Sequence, residues 1–284
     1  GANATIETTI SNLEASGGNG NISLSAGDDL LQTSGTISAV GSGAITATAA
    51  TGTATGVLTQ SNGTAISAGT GNVTLAADGT VTVASVTNSG NLTVTSTAGS
   101  IEEQSTGADA AADLVGVTLD LNAATGIGAA GTLEITGTTI TADSTGTGNV
   151  DIDSLATTGV TVTTLTAGMG NITFDQTGGQ TLAVTTSTAT GSIVITNAGA
   201  NLTATTVTAS GAGNDATLTT TTSGNVLVGA VSAADLATIT AAGSIEESGS
   251  DGTADVTATT IDLNAASGIG AAGTLEITGT TITA

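Results

Sequence analysis

LDLNAATGIGAAGTLEITGTTITA occupies residues 119–142, and IDLNAASGIGAAGTLEITGTTITA occupies residues 261–284. The two differ only at Leu119/Ile261 and Thr125/Ser267 and lie 142 residues apart. Upstream, AGSIEE recurs at residues 98–103 and 242–247, an offset of 144, so two residues separate the copies in length. A self-similar period of this size is the mark of a repeat architecture, and the 284 residues hold two such units. The reading is one unit over residues 1–142 and a second, continuous with it, over residues 143–284.

A shorter period runs inside the long one. A glycine, then Asn or Ser, then an aliphatic opens one run after another, as at Gly20-Asn21-Ile22, Gly71-Asn72-Val73, Gly90-Asn91-Leu92, Gly170-Asn171-Ile172 and Gly243-Ser244-Ile245. Gly and Asn suit a sharp corner because both tolerate a left-handed backbone. Between corners the pattern alternates. In NVTLAADGTVTVASV (residues 72–86), Val73, Leu75, Val81 and Val83 share one face while Thr74 and Thr82 point the other way. A period of two means one buried and one wet face. Short runs broken by glycine corners give an all-β, single-stranded parallel β-solenoid, or β-helix, of about 20 residues per coil and roughly 14 coils.

Composition agrees. The chain has no Lys, Arg, His, Cys, Pro, Trp or Tyr, a single Phe and a single Met, and 42 glycines. Hydrophobic residues make up 38%, too many for disorder. Small aliphatics without aromatics fill only a thin core, and strands paired on both edges cannot give up an N–H to proline. A net charge of −23 repels phosphate and anionic lipid, which argues against nucleic-acid partners. No apolar run reaches the roughly 18–20 residues that a membrane-crossing helix needs, so membrane insertion is not expected. A chain that opens at Gly1 is read as a processed product or an interior fragment.

The rung starts GNITF (170–174), GNVTL (71–75) and GSIEE (99–103), with the linker LNAATGIGAAGTLEITGTTITA (121–142), resemble those of the bacterial filamentous-haemagglutinin-like giant repetitive surface proteins. The resemblance covers essentially the whole chain. It implies a right-handed parallel β-helix, export across the envelope, and a role in adhesion, matrix or filament formation.

No residue set reads as catalytic or cofactor-binding. Without His, Cys or Lys there is no usual general base near neutrality and no activated thiol or amine. Paired carboxylates alone serve some glycosidases, and Asp28/Asp29, Asp151/Asp153, Glu102/Glu103 and Glu246/Glu247 are the pairs on offer. They lack the aromatic platforms that hold a sugar, so no enzyme is expected. Calcium suits a chain of carboxylates, hydroxyls and carbonyls, bound diffusely or at a site. GAGNDATL (211–218) loosely resembles one calcium-binding nonapeptide, and the doublets Glu102-Glu103 and Glu246-Glu247 recur once per unit. One member of a doublet within a strand would face the core, so the doublets are placed on loops.

Seven N-x-Ser/Thr sequons occur, at Asn3, Asn21, Asn62, Asn72, Asn91, Asn171 and Asn201. Asn21, Asn72, Asn91 and Asn171 fall on the recurrent corner and are glycan acceptors if the chain is exported. Thr-x-Thr pairs such as Thr80/Thr82, Thr93/Thr95 and Thr161/Thr163 are like those of ice-binding solenoids, but their spacing looks uneven. The expectation is a structural element of an extracellular or cell-surface filament that associates with copies of itself. An adhesin stalk carrying a tip elsewhere in the protein, and an ice-binding solenoid, are the alternatives.

Overall fold

A computed structural model describes residues 8–50, 55–104, 111–249 and 251–284. Within them the chain is all β, with no helix. The strands pair in parallel, each with its equivalent one coil later, as in Leu30–Gln32 on Leu58–Gln60 and Leu182–Ala189 on Leu202–Ala209. This is a parallel β-solenoid of about 12 turns with about 22 residues per turn. The coils are longer and fewer than about 20 residues and 14 coils, because loops of varied length sit between strands of nearly constant length. Equivalent positions are 19 residues apart from Val73 to Leu92 but 29 apart from Thr36 to Ala65.

Two compact units result: Gly1–Gly137 with Ala142–Asp151, and Thr138–Thr141 with Ile152–Ala284. In the first, a coil has three strands, as in Leu58–Gln60, Ala65–Ala68 and Val73–Ala77. In the second, a coil has two, such as Ile172–Gln176 and Leu182–Ala189. The longer strand of the pair still turns a corner. Val184 and Ser187 both face inward, and Thr185 between them has no register partner. An even-to-odd switch in inward positions is what a bend does to a period-two pattern.

The core consists of columns of like residues. Ile22, Ile45, Val73, Leu92 and Leu119 form one; Leu24, Ala47, Leu75, Val94 and Leu121 form the next. In the second unit Phe174, Ile195, Leu218, Ile239 and Leu263 stack in register, and the one Phe is fully buried. Thr and Ser occupy the outward positions between them, as β-branched residues suit a pleated surface wet on one side.

Polar residues enter the core only at strand ends, where they close the turn. Gln176, Asn197 and Thr220 stack as one inward column. Gln176 Nε2 donates to the Ala156 carbonyl at 3.0 Å, Asn197 Nδ2 to the Ala200 carbonyl at 2.9 Å, and Thr220 Oγ1 to the Gly224 carbonyl at 2.9 Å. In the first unit Gln60 Nε2 donates to Gln32 Oε1 at 3.1 Å, and both side chains are buried. Such groups are tolerable inside because each finds a partner.

Candidate functional site

The Gly-Asn corner is a stacking device. Asn72 Oδ1 accepts the Asn91 N–H one coil on at 3.1 Å, and Asn21 Oδ1 accepts the Ala44 N–H at 2.9 Å. Asn171, Asn201 and Asn225 take the N–H groups of Ser192, Asn225 and Ser244 in the same way, at 2.8–2.9 Å. Asn thus serves as a rung between coils. Its glycine neighbour is also not there for a left-handed backbone: of these corners only Gly224 has a positive φ, of 98°. Gly43, Gly71 and Gly90 lie one above another, and a Cβ on Gly71 would strike the Gly43 carbonyl, while one on Gly90 would come within 2.7 Å of the Gly71 carbonyl. Close approach of successive coils selects glycine here, which corrects the conformational reason drawn from the sequence.

The glutamate doublets lie on strands, Ile101–Glu103 and Ser244–Glu247, not on loops. The outward member holds a turn in the following coil. Glu102 Oε2 accepts the Ala130 N–H at 3.0 Å, and Glu246 Oε2 the Ala272 N–H at 2.8 Å. That bond, with help from the Ser244 hydroxyl, holds the Glu246 carboxyl below the usual glutamate range. The inward member joins a cluster. Glu103, Asp113 and Glu134 bring carboxylate oxygens within 4.8 Å of one another, and so do Glu247, Asp255 and Glu276.

The two clusters are copies of one another, each at a corner where a loop parts two strands. Asp113 N–H donates to the Glu134 carbonyl at 2.8 Å, matched by Asp255 to Glu276 at 2.7 Å. The Glu276 N–H returns a bond to Asp255 Oδ2 at 2.9 Å. All three residues of the first cluster are buried; in the second, Asp255 is buried and its partners are half-buried. Burial first, then the negative charge of Glu247, pushes the Glu276 carboxyl above its ordinary range. With no Lys, Arg or His in the chain, only protons or solute cations can neutralise such a group. Three hard oxygens are the kind of ligand set a divalent cation takes.

Reading the sequence singles out the doublets but misses Asp113, Glu134, Asp255 and Glu276. The signal is there in the 142-residue offset that relates Asp113 to Asp255 and Glu134 to Glu276. The two extra residues of the first copy fall in its loop, between Glu103 and Asp113.

Comparison with known proteins finds no match among family models, curated proteins or solved structures. The fold therefore stands on its own geometry.

The remaining candidates are taken up by neighbouring coils. In GAGNDATL, Asn214 Nδ2 donates to the Thr190 carbonyl at 2.8 Å and Asp215 Oδ1 accepts the Leu236 N–H at 3.1 Å. Asp29 Oδ1 accepts the Val57 N–H at 3.0 Å, and Asp153 Oδ1 the Thr177 hydroxyl at 2.7 Å. Asn21, Asn62, Asn72, Asn91, Asn171 and Asn201 are exposed, while Asn3 lies outside the described residues. Threonines align better than the sequence spacing suggests. Thr164, Thr186 and Thr206 form one outward column and Thr166, Thr188 and Thr208 a second, ending at Ala230 and Ser232.

Proposed function

We propose that this chain is a structural element of an extracellular or cell-surface fibre, as in the filamentous-haemagglutinin-like surface proteins its rung starts resemble. One observation carries the reading. The recurrent polar side chains, from Asn21 to Asn225, are spent on holding one coil to the next. A chain built that way supplies length and cohesion, since stability sums over neighbouring coils. The absence of Lys and Arg removes every trypsin site, which suits a surface exposed to proteases. Its partners are copies of the same architecture, and divalent cations or glycans are its further ligands. An antibody against the purified chain, applied to intact cells of the source, tests this. Label along external fibres supports the proposal, and label that appears only after lysis contradicts it.

A second reading, an ice-ordering face, has the paired threonine columns in its favour. A freezing-point gap in a solution of the pure chain, lost in Thr186→Lys, decides for it. Ordinary freezing decides against it.

A further inference from the structure

The same ten residues, LEITGTTITA, occur at 133–142 and at 275–284, in two different surroundings. In the first copy Leu133, Ile135 and Ile140 are fully buried. In the second, Leu275 and Ile277 are half-buried and Ile282 is 49% exposed. The strands shorten as well, from Leu133–Thr136 and Thr139–Ser144 to Ile277–Thr278 and Thr281–Thr283. Just upstream, Ile127 is fully buried while its twin Ile269 is 36% exposed. What covers Ile127 is a coil that opens Gly148-Asn149-Val150. The Ile127 N–H donates to the Asn149 carbonyl at 2.8 Å, and the Asp151 N–H to the Ile127 carbonyl at 2.9 Å.

The opposite end carries a matching element. The first Gly-Asn-aliphatic corner, Gly20-Asn21-Ile22, stands at the head of the column whose later members are Gly43 and Gly71. Those later glycines are required because a Cβ would strike the coil beneath. At Gly20 a Cβ would meet only its own coil, at Ala15 and Gly17, so this chain alone gives that glycine no partner coil to approach. Beside it Leu13 and Leu24 are half-buried, although Ile37 and Leu75 further along their columns are buried. Each end thus shows a strand edge with unfinished aliphatic columns, and such edges invite pairing.

We propose that the open edge formed by Gly268–Ile269, Ile277–Thr278 and Thr281–Thr283 takes the first coil of a second copy of this chain, Leu13–Ala15 and Ile22–Ala26, so that copies associate head to tail. Gly20-Asn21-Ile22 of the incoming copy then sits on Ile269 as Gly148-Asn149-Val150 sits on Ile127. The contact is heterologous, so it does not close on itself and growth is open-ended. Copies that each carry −23 repel one another, so association strengthens as salt screens the charge. The inference deepens the fibre reading, yet it is tested apart from it. A chain that stays monomeric but labels external fibres overturns this inference and leaves that reading standing.

Sedimentation equilibrium of the full chain at moderate salt is the test. The wild type is expected to gain mass with concentration without reaching a plateau. Ile282→Asp and Gly20→Gln each block one end, so each alone is expected to remain a monomer over at least a roughly tenfold wider concentration range. Mixed in equal amounts, they are expected to form a dimer and nothing larger, since one intact edge remains on each. Val117→Asp, at an exposed valine away from both edges, is expected to assemble like the wild type. Circular dichroism confirms that each variant is folded. A wild type that stays monomeric, a plateau at a dimer, a mixture that stays monomeric, or a Val117→Asp variant that fails like the others overturns the proposal.

Discussion

At the scale of single residues, the corner separates two uses of glycine that the letters alone do not distinguish. Gly71 has a coil directly beneath it, so Gly71→Ala is expected to cost about 1–3 kcal/mol, the usual penalty for forcing atoms into a packed site. Gly27 has open space where a Cβ would go and an ordinary φ. Gly27→Ala is therefore expected to be neutral or stabilising by up to about 1 kcal/mol, through the unfolded chain. Chemical denaturation of the pair decides; equal losses at both sites contradict the account. The Asn rung has its own signature. Asn72→Ala removes one exposed bond, worth about 0.5–1.5 kcal/mol, and speeds hydrogen exchange at the Asn91 amide. Unchanged exchange there means the rung does not form.

At the scale of the element, the loop-bearing corner sets the response to pH. Folding raises the affinity of Glu276 for its proton, above an ordinary value of about 4.5. Its stabilising contribution is therefore complete below that value and is lost as pH climbs through the raised one. Glu246 and Asp251, held low by hydrogen bonds from Ala272 and Thr253, act in the opposite sense. Their contributions are present above the ordinary carboxylate range and are lost as pH falls through the depressed values. Glu276→Gln isolates the first effect. Its melting temperature is expected to match the wild type near about pH 4 and to exceed it by a growing margin toward about pH 8. A difference that stays flat across that range contradicts the raised affinity.

This corner also marks where sequence reading stops. The alternation of Val73, Leu75, Val81 and Val83 is visible in the letters, and all four are buried as it requires. The cluster of Glu103, Asp113 and Glu134 is not visible. Its members are scattered along the chain and meet only because a loop and the next coil return there. Glu103 looked unsuitable for a strand because one member of a doublet must then face inward. It does face inward, at the strand's end, where the corner gives it like partners. The coil length was misjudged for a related reason, as the variable loops hide the constant strand length.

At the scale of the molecule, every ionised side chain is an acid, and no base offsets any of them. Self-repulsion weakens as the screening length falls from about 30 Å at 0.01 M salt to about 8 Å at 0.15 M. The melting temperature is expected to rise over that interval, and a salt-insensitive melt contradicts this picture. The absence of cysteine gives the clearest handle on the fold itself. Thr188 and Thr208 face outward as register partners in adjacent coils, and Ser232 follows two coils from Thr188. Parallel strands bring such neighbours to about 4.8 Å, inside the range a disulfide spans, whereas two coils make about 9–10 Å, outside it.

The deciding measurement is therefore oxidation of two double variants, Thr188→Cys with Thr208→Cys and Thr188→Cys with Ser232→Cys, followed by peptide mapping. Stacked parallel coils predict a disulfide in the first and free thiols in the second. Equal crosslinking in both, or crosslinking only in the second, would contradict the solenoid.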